Sequence, residues 1–334
     1  MEQVPCPISG DRDFTPWLQA PDRFDLSGRR WTLVRSDSSG LVMLNPRPCE
    51  SEAPKHYPLQ SYDPFLHSGN CRTPRDRLYL MLSSAILENK ASIVMRGLSK
   101  PVSTVRVLET GCSTGRLLMR LHTRHNVTLD NLCGIEPDPV AREAAGKNGL
   151  TKIFERDKGD IPGLKMPFDR IVFWHSLEHL HRIEESLEKA RDRLAPDGML
   201  IIALPNIDSD DARRYGHNWI ALDAPRHLYH FSPKTLHRLL RKHGFSVLDT
   251  QSSVTDAIYN SWYSEKLDCA TLNRHFGLGA TAKATLRMAL SMLECIDPQR
   301  ASAFVTRAVR SDQDFRSAGT MRPSDFSSST DATR

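Results

Sequence analysis

The stretch VRVLETGCSTGR, from Val105 to Arg116, decides the fold. Val105, Val107 and Leu108 make a short apolar run that stops at Glu109. A glycine-rich loop follows, Gly111-Cys112-Ser113-Thr114-Gly115, and Arg116-Leu117-Leu118-Met119-Arg120-Leu121 then reads as a helix. This order of strand, tight turn and helix start lets a ligand approach the backbone. Glycine has no Cβ, and the first turn of a helix has unpaired N–H groups. Three sites share that geometry: a dinucleotide site, a serine nucleophile elbow and a site for S-adenosylmethionine.

Outward from this stretch, strands and helices alternate. Strands are expected at Val105–Glu109, Asn131–Glu136, Thr151–Glu155, Phe168–Trp174, Met199–Leu204 and Phe245–Gln251. Helices are expected at Arg116–Arg124, Pro139–Asn148, Ile183–Leu194 and Pro233–His243. Near-continuous apolar strands alternating with helices predict an α/β fold, a doubly wound and mainly parallel sheet. Ligands of such sheets bind outside the carboxyl ends of the strands.

The flanks read differently. Residues 1–60 are rich in Pro, Ser, Asp and Arg, with a hairpin expected from Arg30–Val34 and Leu41–Leu44 around Ser36–Gly40. So little apolar surface needs a staple to fold alone. Only Cys6 could be a zinc ligand, so no zinc is expected and the segment should pack on the main domain. Residues 61–99 read as a linker and a covering helix, Arg75 to Leu98, with Leu78, Leu82, Ala85, Ile86, Ile93 and Val94 near one face. The main domain is expected over 100–310, with a helical insertion at about 255–300 and a final strand at Ser302–Val309. The Ser/Asp/Thr-rich tail, 311–334, is expected to be disordered.

The net charge of +5 over 334 residues is small and argues only mildly for anionic partners; nucleic acid is not expected. The seven scattered cysteines and the absence of a signal-peptide pattern in MEQVPCPISGDRDF predict free thiols and a cytoplasmic location. No apolar run has the length of a membrane span.

The loop is G-x-S-x-G, without the third glycine of a dinucleotide fingerprint. A nucleophile elbow fits Ser113, with Asp223 and His227 downstream, but no oxyanion-donor loop of the H-G-G-G type occurs in residues 1–104. An S-adenosylmethionine site wants acidic residues ending two successive strands, and Glu109 and Glu136 meet that demand. A carboxylate at Glu136 could accept hydrogen bonds from both ribose hydroxyls.

Val107–Gly115, Gly134–Glu136, Phe168–His179 and the turn Arg193–Gly198 together resemble class I S-adenosylmethionine-dependent methyltransferases. Trp219–Ser232, WIALDAPRHLYHFS, resembles one bacterial branch, the methyltransferase 23-like proteins. The resemblance covers about residues 100–252. It implies a seven-stranded Rossmann-like sheet and S-adenosylmethionine as methyl donor. It places Glu109, Gly111, Cys112, Ser113, Gly115, Glu136, Pro137 and His175 around the donor, with Asp157 or Asp160 at the adenine. That branch often carries an N-terminal four-cysteine ribbon. This chain keeps its frame at 6–10 and 36–40 and lacks three of the cysteines.

His175-Ser176-Leu177-Glu178-His179 matches the H-x-x-E-H metal motif. Most relatives resemble it with L-E-H and no metal. Small-RNA 2′-O-methyltransferases and some quinone O-methyltransferases resemble it with E-x-x-E-H and a divalent ion, but His175 replaces the first glutamate here. No metal is therefore expected at His175, Glu178 and His179. Transfer to a hydroxyl calls for a base of near-neutral pKa, for which His175 is the first candidate and His227 the second. The expected acceptor is a small molecule, sugar or glycan. The alternatives are a non-catalytic binding or scaffold protein on the same fold and, more remotely, an α/β hydrolase using Ser113. No feature indicates the oligomeric state.

Overall fold

The computed structural model describes residues 1–26, 28–57, 74–156 and 167–312. The linker at 61–73, Asp157, Asp160 and nearly all of the 311–334 tail lie outside them.

The central sheet has seven strands: β4 (Val107–Thr110), β5 (Leu132–Ile135), β6 (Ile153–Phe154), β7 (Phe168–Trp174), β8 (Leu194–Pro205), β10 (Phe245–Ser252) and β11 (Ala303–Arg310). Their order across the sheet is β10-β11-β8-β7-β4-β5-β6. Strands β4 to β8 pair in parallel, and β11 runs antiparallel between β8 and β10. Every residue of β7 is buried, as a strand covered on both faces requires. The order reverses at β4, between β5 and β7, so the glycine loop stands at the switch point.

Helices α2 (Arg116–His125), α3 (Pro139–Lys147), α4 (Ile183–Arg193) and α6 (Pro233–Lys242) occupy the predicted places, with α5 (Asp210–Tyr215) a short addition. Asp138 caps α3 by accepting from the Ala141 N–H at 2.8 Å, and Ser232 and Thr235 form a capping box on α6. The covering helix α1 (Pro74–Met95) lies along α2, with Arg116 donating to Ser83 at 2.7 Å and Arg120 to Ser84 at 2.8 Å. Ile93 and Val94 are buried as expected, but Ala85 faces solvent, because polar contacts through Ser83, Ser84 and Glu88 set that part of the helix against α2. The insertion holds two helices, α7 (Val254–Thr271) and α8 (Leu278–Glu294).

The N-terminal segment forms a second sheet, in the order β1-β2-β3-β9. The expected hairpin is β2 (Trp31–Ser36) and β3 (Val42–Leu44); β1 (Phe14–Ala20) adds an edge strand that had no clear signal. The fourth strand, β9 (Tyr229–His230), comes from the far end of the chain. At the ribbon frame, Cys6 Sγ lies 3.1 Å from Ser39 Oγ, and Ser9 Oγ lies 3.5 Å from Ser36 Oγ. Gly10 and Gly40, at φ +80° and +78°, still turn the chain beside each pair. Hydrogen bonds join the positions that a ribbon would join through metal.

Arg226, 2% exposed, ties this segment to the main domain. Its guanidinium reaches Asp223 Oδ1 and Asp22 Oδ1, both at 2.8 Å, and donates to the His56 carbonyl at 2.9 Å. Burial pushes the Asp223 carboxyl up, but Arg226 and then Arg23 outweigh it and hold it well below the ordinary carboxylate range. Replacing Arg226 would take from Asp223 the larger of its two cationic partners, with Arg23 at 2.8 Å left as the other. Arg226→Met is therefore expected to lower unfolding stability by about 3–5 kcal/mol in denaturant titration; a loss under about 1 kcal/mol would show that the pair is not a tie.

Candidate functional site

The carboxyl ends of β4, β5 and β7 converge. Gly111 and Cys112 both donate to the Ile135 carbonyl, at 2.8 and 3.1 Å, which folds the glycine loop over the end of β5. Gly111 has φ +76°, and a Cβ there would sit 2.6 Å from Ser176 Cβ. Ser176 Oγ in turn donates to the Thr110 carbonyl at 2.6 Å, so the loops after β4 and β7 touch directly. Gly115, at φ +73°, precedes α2, whose first turn has no side-chain cap. Ser113 and His175 also have positive φ, 49° and 51°, a conformation that costs a non-glycine residue and tends to occur where the fold holds a functional group.

Glu136, 8% exposed, accepts from the Ser113 N–H at 2.8 Å and the Asp138 N–H at 2.9 Å, one on each oxygen. Each oxygen keeps a second lone pair. Burial raises its pKa, and the two backbone N–H groups oppose the rise. Glu109 is 5% exposed, and its Oε2 has no hydrogen-bond partner. Burial pushes its pKa up to about 8, against the pull of Lys90 and with a push from Glu136. A buried carboxyl with a bare oxygen at a strand end is poised for a cation.

Cys112 turns inward: its Sγ occupies the space where a Cβ on Gly134 would be, 2.5 Å away. Its backbone, not its thiol, lines the loop. Ser113 Oγ is buried without a hydrogen-bond partner, so no histidine among the described residues activates it. Pro137 follows Glu136 at the sheet end.

His175 is clasped between carboxylates. Its Nε2 lies 3.1 Å from Asp256 Oδ2, and its Nδ1 lies 3.6 Å from Glu178 Oε1, too long for a hydrogen bond. Burial would lower its pKa; Asp256 first, then Glu178, outweighs that and pushes it up to about 9. Lys90 from α1 sits 4.8 Å over the Trp174 ring, its pKa lowered by burial against the pull of Asp256 and Glu109. Lys90, Trp174 and Asp256 escaped the sequence reading. No motif marks them, and they meet only because α1 and α7 both cross the strand ends.

His227 lies apart from His175, on the far side of Glu178. Its Nδ1 is 2.8 Å from the Ala221 carbonyl, and its Nε2 is 3.9 Å from Glu178 Oε1. The His179 and His227 rings meet edge to face at 4.6 Å. Burial and the charge of His227 push the His179 pKa down to about 4.

A family model described as a methyltransferase domain matches residues 76–250, more than half of the chain. No curated protein matches. Among solved structures, the chain is similar to a possible histamine N-methyltransferase from Thermotoga maritima, with 21% identity, 70% of this chain and 93% of that one covered, and a TM-score of 0.43. It is also similar to a mycolic acid cyclopropane synthase, with 17% identity, 78% and 98% coverage and a TM-score of 0.49. A third is magnesium protoporphyrin IX methyltransferase from Synechocystis, with 11% identity, 73% and 90% coverage and a TM-score of 0.44. At these identities the likeness concerns the fold.

The contact of Gly111 with Ser176 generates a prediction. Gly111→Ala costs about 1–2 kcal/mol from its positive φ alone and adds a clash with a side chain that has no room to swing. Ligand binding at the loop is expected to fall at least tenfold, while Gly146→Ala, where a Cβ meets nothing within 4 Å, leaves it unchanged. Equal affinities in the two variants, measured by calorimetry, would remove the loop from the site.

Proposed function

The chain belongs to the S-adenosylmethionine-dependent methyltransferases, and from that membership we propose that it methylates a hydroxyl of a small-molecule, sugar or glycan acceptor. The observation that carries the reading is the pair of buried carboxylates, Glu109 and Glu136, ending adjacent parallel strands over the glycine loop. Glu136 would hold the ribose, Glu109 the ammonium, and the backbone from Gly111 to Gly115 the amino-acid end of the donor. Pro137 would border the adenosine, and the adenine contact falls to Asp157 or Asp160. When bound, the donor supplies a sulfonium methyl for in-line displacement. The protein's share is to align the acceptor and exclude water. Residues 100–310 would serve as the transferase domain, with the N-terminal sheet and helix α1 as additions to it.

His175 is the proton-transfer group in this reading. A proton taken from the acceptor would rest on a ring flanked by Asp256 and Glu178, so both carboxylates stabilise the imidazolium that forms. The raised pKa makes the ring a stronger base and lowers its unprotonated share at neutral pH. His227, pinned to a backbone carbonyl and facing Glu178, is the weaker candidate. The described cysteines are thiols rather than disulfides, which supports a cytoplasmic location. No described helix is long and apolar enough to cross a membrane.

A scaffold that binds donor without transferring methyl is the second reading. The clasped His175 favours the enzyme, because two carboxylates beside one imidazole would stabilise the imidazolium that proton transfer forms.

Calorimetry with S-adenosylmethionine or S-adenosylhomocysteine tests the donor assignment. Binding is expected, and Glu136→Ala should weaken it by on the order of 1–3 kcal/mol; a folded protein that binds neither would overturn the assignment. The pH dependence has a definite sign. Below about 8 the free protein holds Glu109 protonated, and the donor's ammonium requires the carboxylate, so binding releases a proton. Affinity is expected to rise with pH toward 8 and then fall as the donor's α-amino group, with a pKa of about 7.7–8.0, loses its charge. In Glu109→Gln the rising limb should vanish.

His175→Ala and Asp256→Asn are expected to reduce turnover by roughly 10²–10⁴-fold, with donor affinity within a few-fold of the parent. Equal loss of both quantities would assign these residues to donor binding instead.

A further inference from the structure

Glu178 is 1% exposed, and neither of its carboxylate oxygens has a hydrogen-bond partner. An ionised carboxylate so deep in a protein needs a cation or a set of donors. Its backbone carbonyl accepts from the Leu228 N–H at 2.8 Å, which fixes it beside the segment that carries His227. Two imidazoles face it. His179 Nδ1 lies 3.1 Å from the Arg226 carbonyl and 3.0 Å from the Tyr57 hydroxyl, which can accept as well as donate, and His227 Nδ1 lies 2.8 Å from the Ala221 carbonyl. A carbonyl only accepts, so each Nδ1 carries a hydrogen and each Nε2 keeps its lone pair. Imidazoles oriented by a backbone carbonyl in this way are characteristic of metal ligands. One ligand atom from each of Glu178, His179 and His227 lies within 4.8 Å of the other two.

We propose that Glu178, His179 and His227 bind a divalent first-row transition cation. Two imidazoles and one carboxylate suit Zn²⁺, Mn²⁺, Fe²⁺ or Co²⁺, whereas Mg²⁺ and Ca²⁺ prefer all-oxygen sets. Tetrahedral ligand atoms at about 2.0–2.1 Å from a metal stand about 3.4 Å apart, so the trio closes by little more than an ångström on binding. A small cleft lined by Ala53, His56, Tyr57, His179, Pro225 and Arg226 borders one member of the trio, His179. The set differs from the H-x-x-E-H motif. His175 Nε2 is engaged by Asp256, and His227 takes its place from a distant part of the chain. The ion would give Glu178 the direct partner that neither of its oxygens has and would join the loop after β7 to the segment that carries His227. The site does not depend on the methyl donor.

The test uses the full chain, stripped with chelator and titrated with Co²⁺ in the absence of S-adenosylmethionine. One equivalent is expected to bind, with visible d–d absorption of a nitrogen- and oxygen-ligated site. His179→Gln and His227→Gln are each expected to weaken binding at least tenfold, and His237→Gln, on the outer helix α6, to leave it unchanged. Absence of Co²⁺, Zn²⁺ and Mn²⁺ binding by the folded parent would overturn the proposal. So would unchanged affinity in both trio variants. Should those variants fail to fold, the parent itself decides: proton NMR of the Co²⁺ form should show two hyperfine-shifted, exchangeable imidazole N–H signals from the pinned Nδ1 atoms. Fewer than two such signals would also overturn it.

Discussion

The contact between Gly111 and Ser176 is the constraint on which the site depends. Strands β4 and β7 are hydrogen-bonded neighbours, and their following loops leave the sheet at the same level. Only a residue without a Cβ lets those loops touch. That closeness puts Glu109, at the end of β4, on the same side of the sheet as His175, at the end of β7. Glu136 joins them because β5 lies on the other side of β4. The parallel order thus converts three separate sequence positions into one mouth.

The site keeps its acids dry, and this sets its electrostatics. Glu109 answers burial with a raised pKa, because the pull of Lys90 does not offset burial and Glu136 adds to it. Asp256 lies next to His175 and stays ionised, its carboxyl held well below the ordinary range despite the opposing effect of burial. Glu178 stays ionised as well, lowered by His175 and His227 against burial. The difference follows from what each carboxylate faces. Glu109 has an oxygen without a hydrogen-bond partner and only Lys90 to pull its pKa down. The other two face imidazoles and hold protein groups in place.

Much of the fold was legible along the chain. The alternation of apolar strands and helices located β4, β5, β7, β10 and β11 and helices α2, α3, α4 and α6 to within a residue or two; of these strands all but the edge strand β10 are largely buried, and strands buried on both faces must be almost wholly apolar. Strand β8 begins earlier than expected, at Leu194, because it pairs with Phe168 through a bulge that carries it across Pro196-Asp197-Gly198. Strand β1 was missed because its exposed edge carries mixed polar and apolar residues, and it becomes a strand only by pairing with β2. Strand β9 is too short to give a signal and exists because β3 offers it an edge.

Of the candidate site, the sequence by itself determined the placement of the residues tied to a strand end or a glycine turn: Glu109, Gly111, Gly115 and Glu136. Their chemistry follows from local geometry, and local geometry follows from period and turn composition. What only the tertiary structure decided is which distant groups meet them. Asp256 opens a helix long after His175, and Lys90 lies well before it; neither spacing carries information. His175 and His179 sit four residues apart and suggest a pair, yet His175 turns to Asp256 while His179 meets His227. The cause is the positive φ of His175 and the short turn after it, which break the helical spacing that the motif assumes. Contacts between side chains far apart in sequence are fixed by how the layers pack, and packing is a property of the whole chain.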